Sequence, residues 1–211
     1  RDVYKRQTDT IAFHHVSGAV TFDLGGAATQ TVSTGFTITH SGFENISGST
    51  YADTLTGDAG ANIIHGFGGT DTLNGGGGAD ALYDDQSATL INGDAGNDTI
   101  YAKFTNDYAH NATFNGGSDT DTLDFSSSIM NAHYFLEADL STGSVLIKDS
   151  SAGNALISTY TVSGIENLTG TNDATMGDTI HGDSNSNVLR GGDGNDILVG
   201  RGGEDWLYGD A

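Results

Sequence analysis

The chain has 211 residues, with 32 Gly, no Pro, no Cys and 28 acidic residues against 7 basic ones, which gives a net charge of −21. Without Cys, disulfides and thiolate metal sites are excluded, so any metal must be held by oxygen or histidine. The acidic surplus excludes nucleic-acid binding through phosphates, which needs a basic face. No stretch approaches the roughly 18 apolar residues of a membrane span.

The first seven residues, RDVYKRQ, differ from everything that follows, since they carry three of the seven basic residues. We interpret residues 1–7 as a translated sequencing adapter, an artefact with no part in the fold. The chain lacks an initiator Met and stops inside a motif, at YGDA. We therefore expect it to be a fragment of a longer protein.

The first predicted domain is a segment of strands at residues 8–47. Its AVTFDL places Val20, Phe22 and Leu24 on one face of a strand, and this alternation predicts an antiparallel β-hairpin. We expect the segment to cap or extend the structure that follows, and so to cover an open sheet edge.

A nine-residue repeat begins at Gly48 and fills the second predicted domain, residues 48–106. Position one is mostly Gly, position six is mostly Asp, and position eight is always Leu or Ile. The weakest block has Asp84 at position one and Thr89 at position six. A flexible linker would not keep aliphatic residues in register, so the repeat predicts a stacked fold. The blocks are GSTYADTLT, GDAGANIIH, GFGGTDTLN, GGGGADALY, DDQSATLIN and GDAGNDTIY.

The third predicted domain, residues 107–172, interrupts the repeat with a second copy of the strand segment. HYFLEADL places four apolar residues on one face, and GSVLIKD follows after a short turn, which again predicts an antiparallel hairpin. One isolated block, GGSDTDTLD, lies at 116–124. GFENISG at 42–48 and GIENLTG at 164–170 mark corresponding ends of the two segments.

The repeat resumes at Asp173 in the last predicted domain, residues 173–211. Its blocks are DATMGDTIH, GDSNSNVLR, GGDGNDILV and GRGGEDWLY. No long period of 3.6 residues occurs in the chain, so we expect little or no helix.

Each block predicts one turn and one short strand. The last three residues form a strand whose middle residue points inward, and glycines at positions one, two and four permit positive φ and close backbone approach. Three strand residues bury too little surface alone, so the blocks must stack into a solenoid with a continuous aliphatic seam, two blocks to a coil. The predicted fold is all-β: a parallel β-roll in two runs, with an antiparallel hairpin segment before each run.

Stacked turns would bring the position-six carboxylates close together. At a strand spacing of about 4.8 Å, unpaired carboxylates repel strongly. A divalent cation between each pair would remove this repulsion and satisfy the backbone carbonyls. Flexible coordination by six to eight oxygens is typical of Ca²⁺, whereas Mg²⁺ demands a smaller, stricter octahedron. The repeat therefore predicts several bound Ca²⁺ ions.

The blocks resemble the RTX, or hemolysin-type calcium-binding, nonapeptide G-G-x-G-x-D-x-U-x, most strongly in GGGGADALY and GGDGNDILV. The resemblance implies that Ca²⁺ lies between each block and the block two further on, as between Asp80 and Asp98, whereas Thr89 supplies no carboxylate to pair with Asp71. The implied side-chain ligands are Asp53, Asn62, Asp71, Asp80, Asp98, Asp178, Asn187, Asp196 and Asp205. The implied carbonyl ligands are those of Gly66, Gly68, Gly75, Gly77, Gly93, Gly191, Gly200 and Gly202.

The chain contains neither the zinc-protease motif H-E-x-x-H nor the serine-hydrolase motif G-x-S-x-G. The repeat is therefore the feature from which a function can be predicted. We expect no enzymatic activity in this fragment, although the parent protein could be an enzyme. The resemblance implies a calcium-binding structural module of a bacterial protein that leaves the cell by type I secretion and folds on Ca²⁺ outside. Its expected partners are Ca²⁺ and neighbouring segments of the parent chain.

Two alternative functions remain open at this stage. The fragment could be a repeat segment of a large calcium-dependent surface adhesin, which would also bind an unknown cell-surface or host ligand. It could instead be the non-catalytic C-terminal part of a secreted protease or lipase.

Overall fold

The computed structural model describes residues 8–84, 89–104, 111–128 and 133–211. The predicted adapter, residues 1–7, and the predicted domain boundary after residue 106 lie outside these ranges. In the described part the chain forms 21 strands and one 3₁₀ turn, Ser150–Ala152, which confirms the all-β prediction. None of the described residues belongs to a helix long and apolar enough to cross a membrane.

The strands are short, and most of them coincide with the last three residues of a block. In chain order they are β1 Thr10–Ala12, β2 Thr21–Asp23, β3 Thr29–Ser33, β4 Phe36–Thr39, β5 Asn45–Ser47, β6 Thr54–Thr56, β7 Ile63–His65, β8 Thr72–Gly77, β9 Ala81–Asp84, β10 Leu90–Ala95, β11 Thr99–Ala102, β12 Ala112–Ser118, β13 Thr122–Asp124, β14 Tyr134–Asp139, β15 Ser144–Asp149, β16 Ala155–Ser163, β17 Asn167–Thr169, β18 Thr179–His181, β19 Val188–Arg190, β20 Ile197–Val199 and β21 Trp206–Tyr208.

Two large sheets enclose one core. Sheet A has nine strands in the order β1-β5-β7-β9-β11-β13-β17-β19-β21, and sheet B has ten in the order β2-β6-β8-β10-β12-β16-β15-β14-β18-β20. Successive blocks alternate between the sheets, so two blocks make one coil, as predicted. The parallel register places Leu55 beside Leu73 in sheet B and Ile64 beside Leu82 in sheet A.

The position-eight residues form the predicted aliphatic seam between the sheets. Their inward direction follows from the alternation of side chains along a strand. In the last strand, by contrast, Leu207 is 46 % exposed, because β21 lies at the edge of sheet A. The seam residues that are 0 % exposed are Leu55, Ile64, Leu73, Leu82, Ile91, Ile100, Ile180 and Leu189.

The two repeat runs belong to one continuous roll. The isolated block at 116–124 contributes to β12 and β13, and GIENLTG contributes β17, which joins β13 to β19 in sheet A. In sheet B, three antiparallel strands, β16, β15 and β14, lie between β12 and β18. Phe114 and Phe125 pack against Tyr160 beside these extra strands, and all three are fully buried.

Antiparallel hairpins occur in both strand segments, but only the second lies where the sequence predicted it. β14 and β15 form the predicted hairpin, and β16 extends it. In the first segment the prediction is wrong for AVTFDL, because β2 pairs in parallel with β6, and the hairpin is β3–β4. Phe22 lies beside Leu55 and continues the seam, so alternation alone does not separate a roll strand from a hairpin strand.

The seam predicts how two similar substitutions differ. We expect Leu82→Ala to lower the free energy of unfolding by about 2–5 kcal/mol, because it removes a fully buried side chain and leaves a cavity. Leu90→Ala is the matched control, since Leu90 points outward and is 39 % exposed. Urea unfolding at saturating calcium measures both, and equal losses would contradict the inward and outward assignment.

Candidate calcium-binding turns

The position-six side chains connect each coil to the next through the backbone. Oδ1 of Asp80 accepts a hydrogen bond from the N–H of Asn62 at 2.7 Å, and Oδ1 of Asp98 accepts one from the N–H of Asp80 at 2.8 Å. The same contact, at the same spacing of 18 residues, joins Asp71 to Asp53, Asp196 to Asp178 and Asp205 to Asn187. The structure thus brings together the predicted ligand pairs, while their role as ligands stays a prediction.

The second carboxylate oxygen is unpaired in four turns. Oδ2 of Asp80, Asp98, Asp121 and Asp196 is buried and has no hydrogen-bond partner within the described ranges. Burying an unpaired carboxylate oxygen costs free energy, which a hydrogen-bond donor or a bound cation would offset. These four oxygens therefore mark the places where a cation fits.

Backbone carbonyls converge on the same places. A Cβ added to Gly75 would clash with both Asp80 Oδ2 and the carbonyl oxygen of Gly93, and one added to Gly93 would clash with Asp98 Oδ2 and the carbonyl oxygen of Gly116. Gly is therefore required at position one of these two turns, because a side chain would fill the space between carboxylate and carbonyl. We call this all-oxygen space a cradle, and its ligand type is the one that Ca²⁺ prefers.

Five of the eight predicted carbonyl ligands contribute to such cradles. The carbonyl oxygens of Gly66, Gly75, Gly93, Gly191 and Gly200 lie at the cradles of Gly48, Gly57, Gly75, Gly170 and Gly182, respectively. The assignments of Gly68, Gly77 and Gly202 stay predictions.

Sequence reasoning missed Asp121, whose cradle includes Gly116 and the carbonyl oxygen of Gly164. Asp121 is 0 % exposed, and its Oδ1 accepts the N–H of Asp98 at 2.8 Å. The signal was present, because Asp121 occupies position six of the isolated block.

Two of the predicted aspartate ligands are hydrogen-bonded within their own turn. Asp53 Oδ2 accepts the N–H of Ser49 at 2.6 Å, and Asp178 Oδ2 accepts the N–H of Thr171 at 2.7 Å. By the nine-residue spacing, the block that contains Asp178 begins at Asp173. In the structure, Gly170 takes the place of the position-one Gly, because it lies at the Asp178 cradle. Both carboxylates therefore have backbone partners in place.

The two predicted asparagine ligands bond to the preceding coil through their amide groups. Asn62 Nδ2 donates to the carbonyl of Glu44 at 2.7 Å, and Asn187 Nδ2 donates to the carbonyl of Glu166 at 2.8 Å. An amide N–H thus binds a carbonyl of the neighbouring coil in both places.

The weakest block also differs in structure. Thr89 Oγ1 donates to Asp84 Oδ1 at 3.1 Å, and both residues are buried. A carboxylate is thus present at position one of this block, whereas position six has none. Residues 85–88 lie outside the described ranges.

Burial changes the protonation of the position-six carboxyls. Desolvation raises the pKa of Asp80, Asp98, Asp121 and Asp178 from 3.8 to about 6. Hydrogen bonds from backbone N–H groups oppose this rise but do not cancel it. The charged form is therefore unfavourable in the folded chain until a positive charge is bound.

Metal binding at these turns would depend on the backbone. No group of three or more His, Asp or Glu side chains that could hold a metal occurs in the described ranges. Each cradle contains one side-chain group, an Asp carboxylate or, at Gly57 and Gly182, an Asn amide, so carbonyl oxygens must complete the coordination shell.

Comparison with protein families identifies the repeat. The RTX calcium-binding nonapeptide repeat matches this chain in four copies, over residues 47–82, 88–109 and 177–211, which together make up just under half of its length. No curated protein gives a significant match.

The raised pKa values predict how the calcium-free chain responds to pH. Between the ordinary value of 3.8 and the folded value of about 6, the folded state binds more protons than the unfolded state. Stability therefore falls as the pH rises through this window, and we expect a higher melting temperature at pH 5 than at pH 7. Thermal unfolding in calcium-free buffer, followed by circular dichroism, measures this.

The combined variant Asp80→Asn, Asp98→Asn and Asp121→Asn is the control for this experiment, and its melting temperature should depend less on pH. With saturating calcium the trend of the unmodified chain should reverse, because protons then compete with the cation. A melting temperature that rises with pH in calcium-free buffer would contradict the assignment.

Proposed function

We propose that this chain, whose repeat runs belong to the RTX calcium-binding nonapeptide family, is a structural module of a secreted protein that folds when it binds Ca²⁺ outside the cell. The observation that carries the proposal is the set of four buried, unpaired Asp oxygens, three of which, those of Asp80, Asp98 and Asp121, lie beside a backbone carbonyl. These oxygens make the calcium-free fold unfavourable, and a hard divalent cation removes the penalty.

The energetics support folding that is coupled to calcium. Sites in extracellular modules bind Ca²⁺ with Kd values of about 10⁻⁴–10⁻³ M. At ten times its Kd, calcium stabilises the fold by about 1.4 kcal/mol for each site. Four such sites together contribute about as much as the whole stability of a marginal domain, which is about 5 kcal/mol.

The same affinities support export in the unfolded state. Free calcium in the cytosol lies far below these Kd values, so the cradles would stay empty there and the chain would remain unfolded. At millimolar calcium outside the cell the cradles would fill. This behaviour fits type I secretion, which exports an unfolded chain, and we include that route in the proposal.

The proposed role is structural and not catalytic. The module would supply a rigid, calcium-dependent roll to a larger protein, and its other partners would be neighbouring segments of that protein. The exposed side chains of Trp206 and Leu207 on the outermost strand of sheet A support such a contact, since they are 64 % and 46 % exposed.

A calcium titration of the purified chain tests the proposal. Circular dichroism should show a change from coil to β-structure near millimolar calcium, which a chelator reverses and the same concentration of magnesium does not produce. A chain that is fully folded in chelator would contradict calcium-coupled folding.

Two variants make this titration specific. Asp80→Asn should shift the midpoint to higher calcium, because it removes a carboxylate from a cradle. Asp9→Asn removes the same charge from an exposed residue before the first strand, outside the turns, and should leave the midpoint unchanged. Equal shifts would mean that overall charge, and not the cradles, controls the transition.

A further inference from the structure

The turns of the roll fall into two classes that differ in the backbone at position two. In the first class, which we call open turns, the residue at position two has positive φ. The four turns with an unpaired Asp Oδ2 all belong to it, with φ values of 99° at Gly76, 71° at Asp94, 116° at Gly117 and 94° at Gly192. Positive φ at Phe67 and Arg201 places the turns of Asp71 and Asp205 in the same class.

In the second class, which we call closed turns, the residue at position two avoids positive φ and its N–H donates to the position-six side chain. This bond occupies the side-chain oxygen whose counterpart is unpaired in the turns of Asp80, Asp98, Asp121 and Asp196. The four closed turns are defined by the bonds Ser49–Asp53, Asp58–Asn62, Thr171–Asp178 and Asp183–Asn187, at 2.6, 2.8, 2.7 and 2.9 Å.

The closed turns occur at equivalent places in the chain. They are the first two turns of each run. The first begins at the last residue of GFENISG or GIENLTG, Gly48 or Gly170, and the second begins at Gly57 or Gly182. Position two is a hydroxyl residue in the first closed turn of each run, Ser49 or Thr171, and Asp in the second, Asp58 or Asp183. The repetition shows that closed turns are a feature of how a run starts.

In each run the second closed turn is tied to the preceding coil without a metal. The Asn62 amide donates to the carbonyl of Glu44, and Asn45 Oδ1 accepts the N–H of Ile63 at 2.9 Å. In the second run, Asn187, Glu166, Asn167 and Val188 make the same two contacts. An amide N–H thus binds a carbonyl of the preceding coil, whereas the equivalent carbonyl before an open turn, that of Asp80, accepts the backbone N–H of Thr99.

We propose that the two closed turns at the start of each run are cation-free, and that Ca²⁺ binds only in the open turns. This inference rests on the proposed function and specifies which turns carry it. Each run then begins with coils that are joined by hydrogen bonds alone. These coils provide a preformed edge to which the calcium-binding coils add.

One chemical change in two turns tests the inference. Asp98→Asn, in an open turn, should reduce the number of bound Ca²⁺ ions by one, measured at saturation by native mass spectrometry. It should also raise the melting temperature in chelator, because the amide replaces an unpaired oxygen and can donate to the carbonyl of Gly116.

Asp53→Asn is the matched variant in a closed turn, and its effects should be opposite. It should keep the ion number of the unmodified chain and lower the melting temperature, since Asp53 accepts bonds from Val20 N, Ser49 N and Ser49 Oγ. If this variant fails to fold, Asp178→Asn replaces it, with the same expected ion number.

The outcomes separate this inference from the proposed function. Loss of an ion in Asp53→Asn or Asp178→Asn would overturn the division into two classes, as would an unchanged ion number in Asp98→Asn. An unmodified chain that binds no calcium would overturn the proposed function itself, and the inference with it.

Discussion

The hydrogen bond from a backbone N–H to the carboxylate of the next coil determines most of this structure. It fixes the spacing of 18 residues, since Asp98 can reach the N–H of Asp80 only when the two blocks are in register. It also holds the carboxyl group in the interior, away from water. The second oxygen of the carboxylate is then desolvated and unpaired. Desolvation raises the pKa of Asp98, and a bound cation would offset the cost of the buried charge.

The aliphatic seam alone is too sparse to replace this interaction. A block of nine residues directs one large aliphatic side chain, such as Leu82, into the core, while the backbone of all nine residues must be ordered. The repeat also places a buried carboxylate in most turns, which works against folding when no cation is bound. Coil stacking and cation binding therefore depend on each other, and hydrophobic burial contributes to a fold that it does not determine by itself.

Much of the fold could be predicted from the sequence because its period of nine residues is regular, but the exceptions have physical reasons. The role of β2 was missed because strands of a roll and of a hairpin share the same alternation. The carbonyl of Glu166 was missed as a partner of Asn187 because extra residues between Gly170 and Asp178 place it 21 residues earlier, off the nine-residue spacing. Glu44 does lie 18 residues before Asn62, but in a segment that precedes the recognised blocks. The backbone conformation at position two could not be predicted from residue type, since Asp94 has positive φ whereas Asp58 does not.

The closed turns explain how the first coils of a cation-stacked solenoid can hold together before a cation binds. An open cradle takes its carboxylate from one coil and a carbonyl from the next, as Asp98 and Gly116 show, so a single coil offers only part of a site. The first coils of a run therefore need another interaction to hold them together before a cation can bind. Side-chain amides suit this purpose, because Asn62 and Asn187 present an N–H to a carbonyl and bury no charge. Polar hydrogen bonds that need no metal thus create the surface on which metal binding becomes favourable.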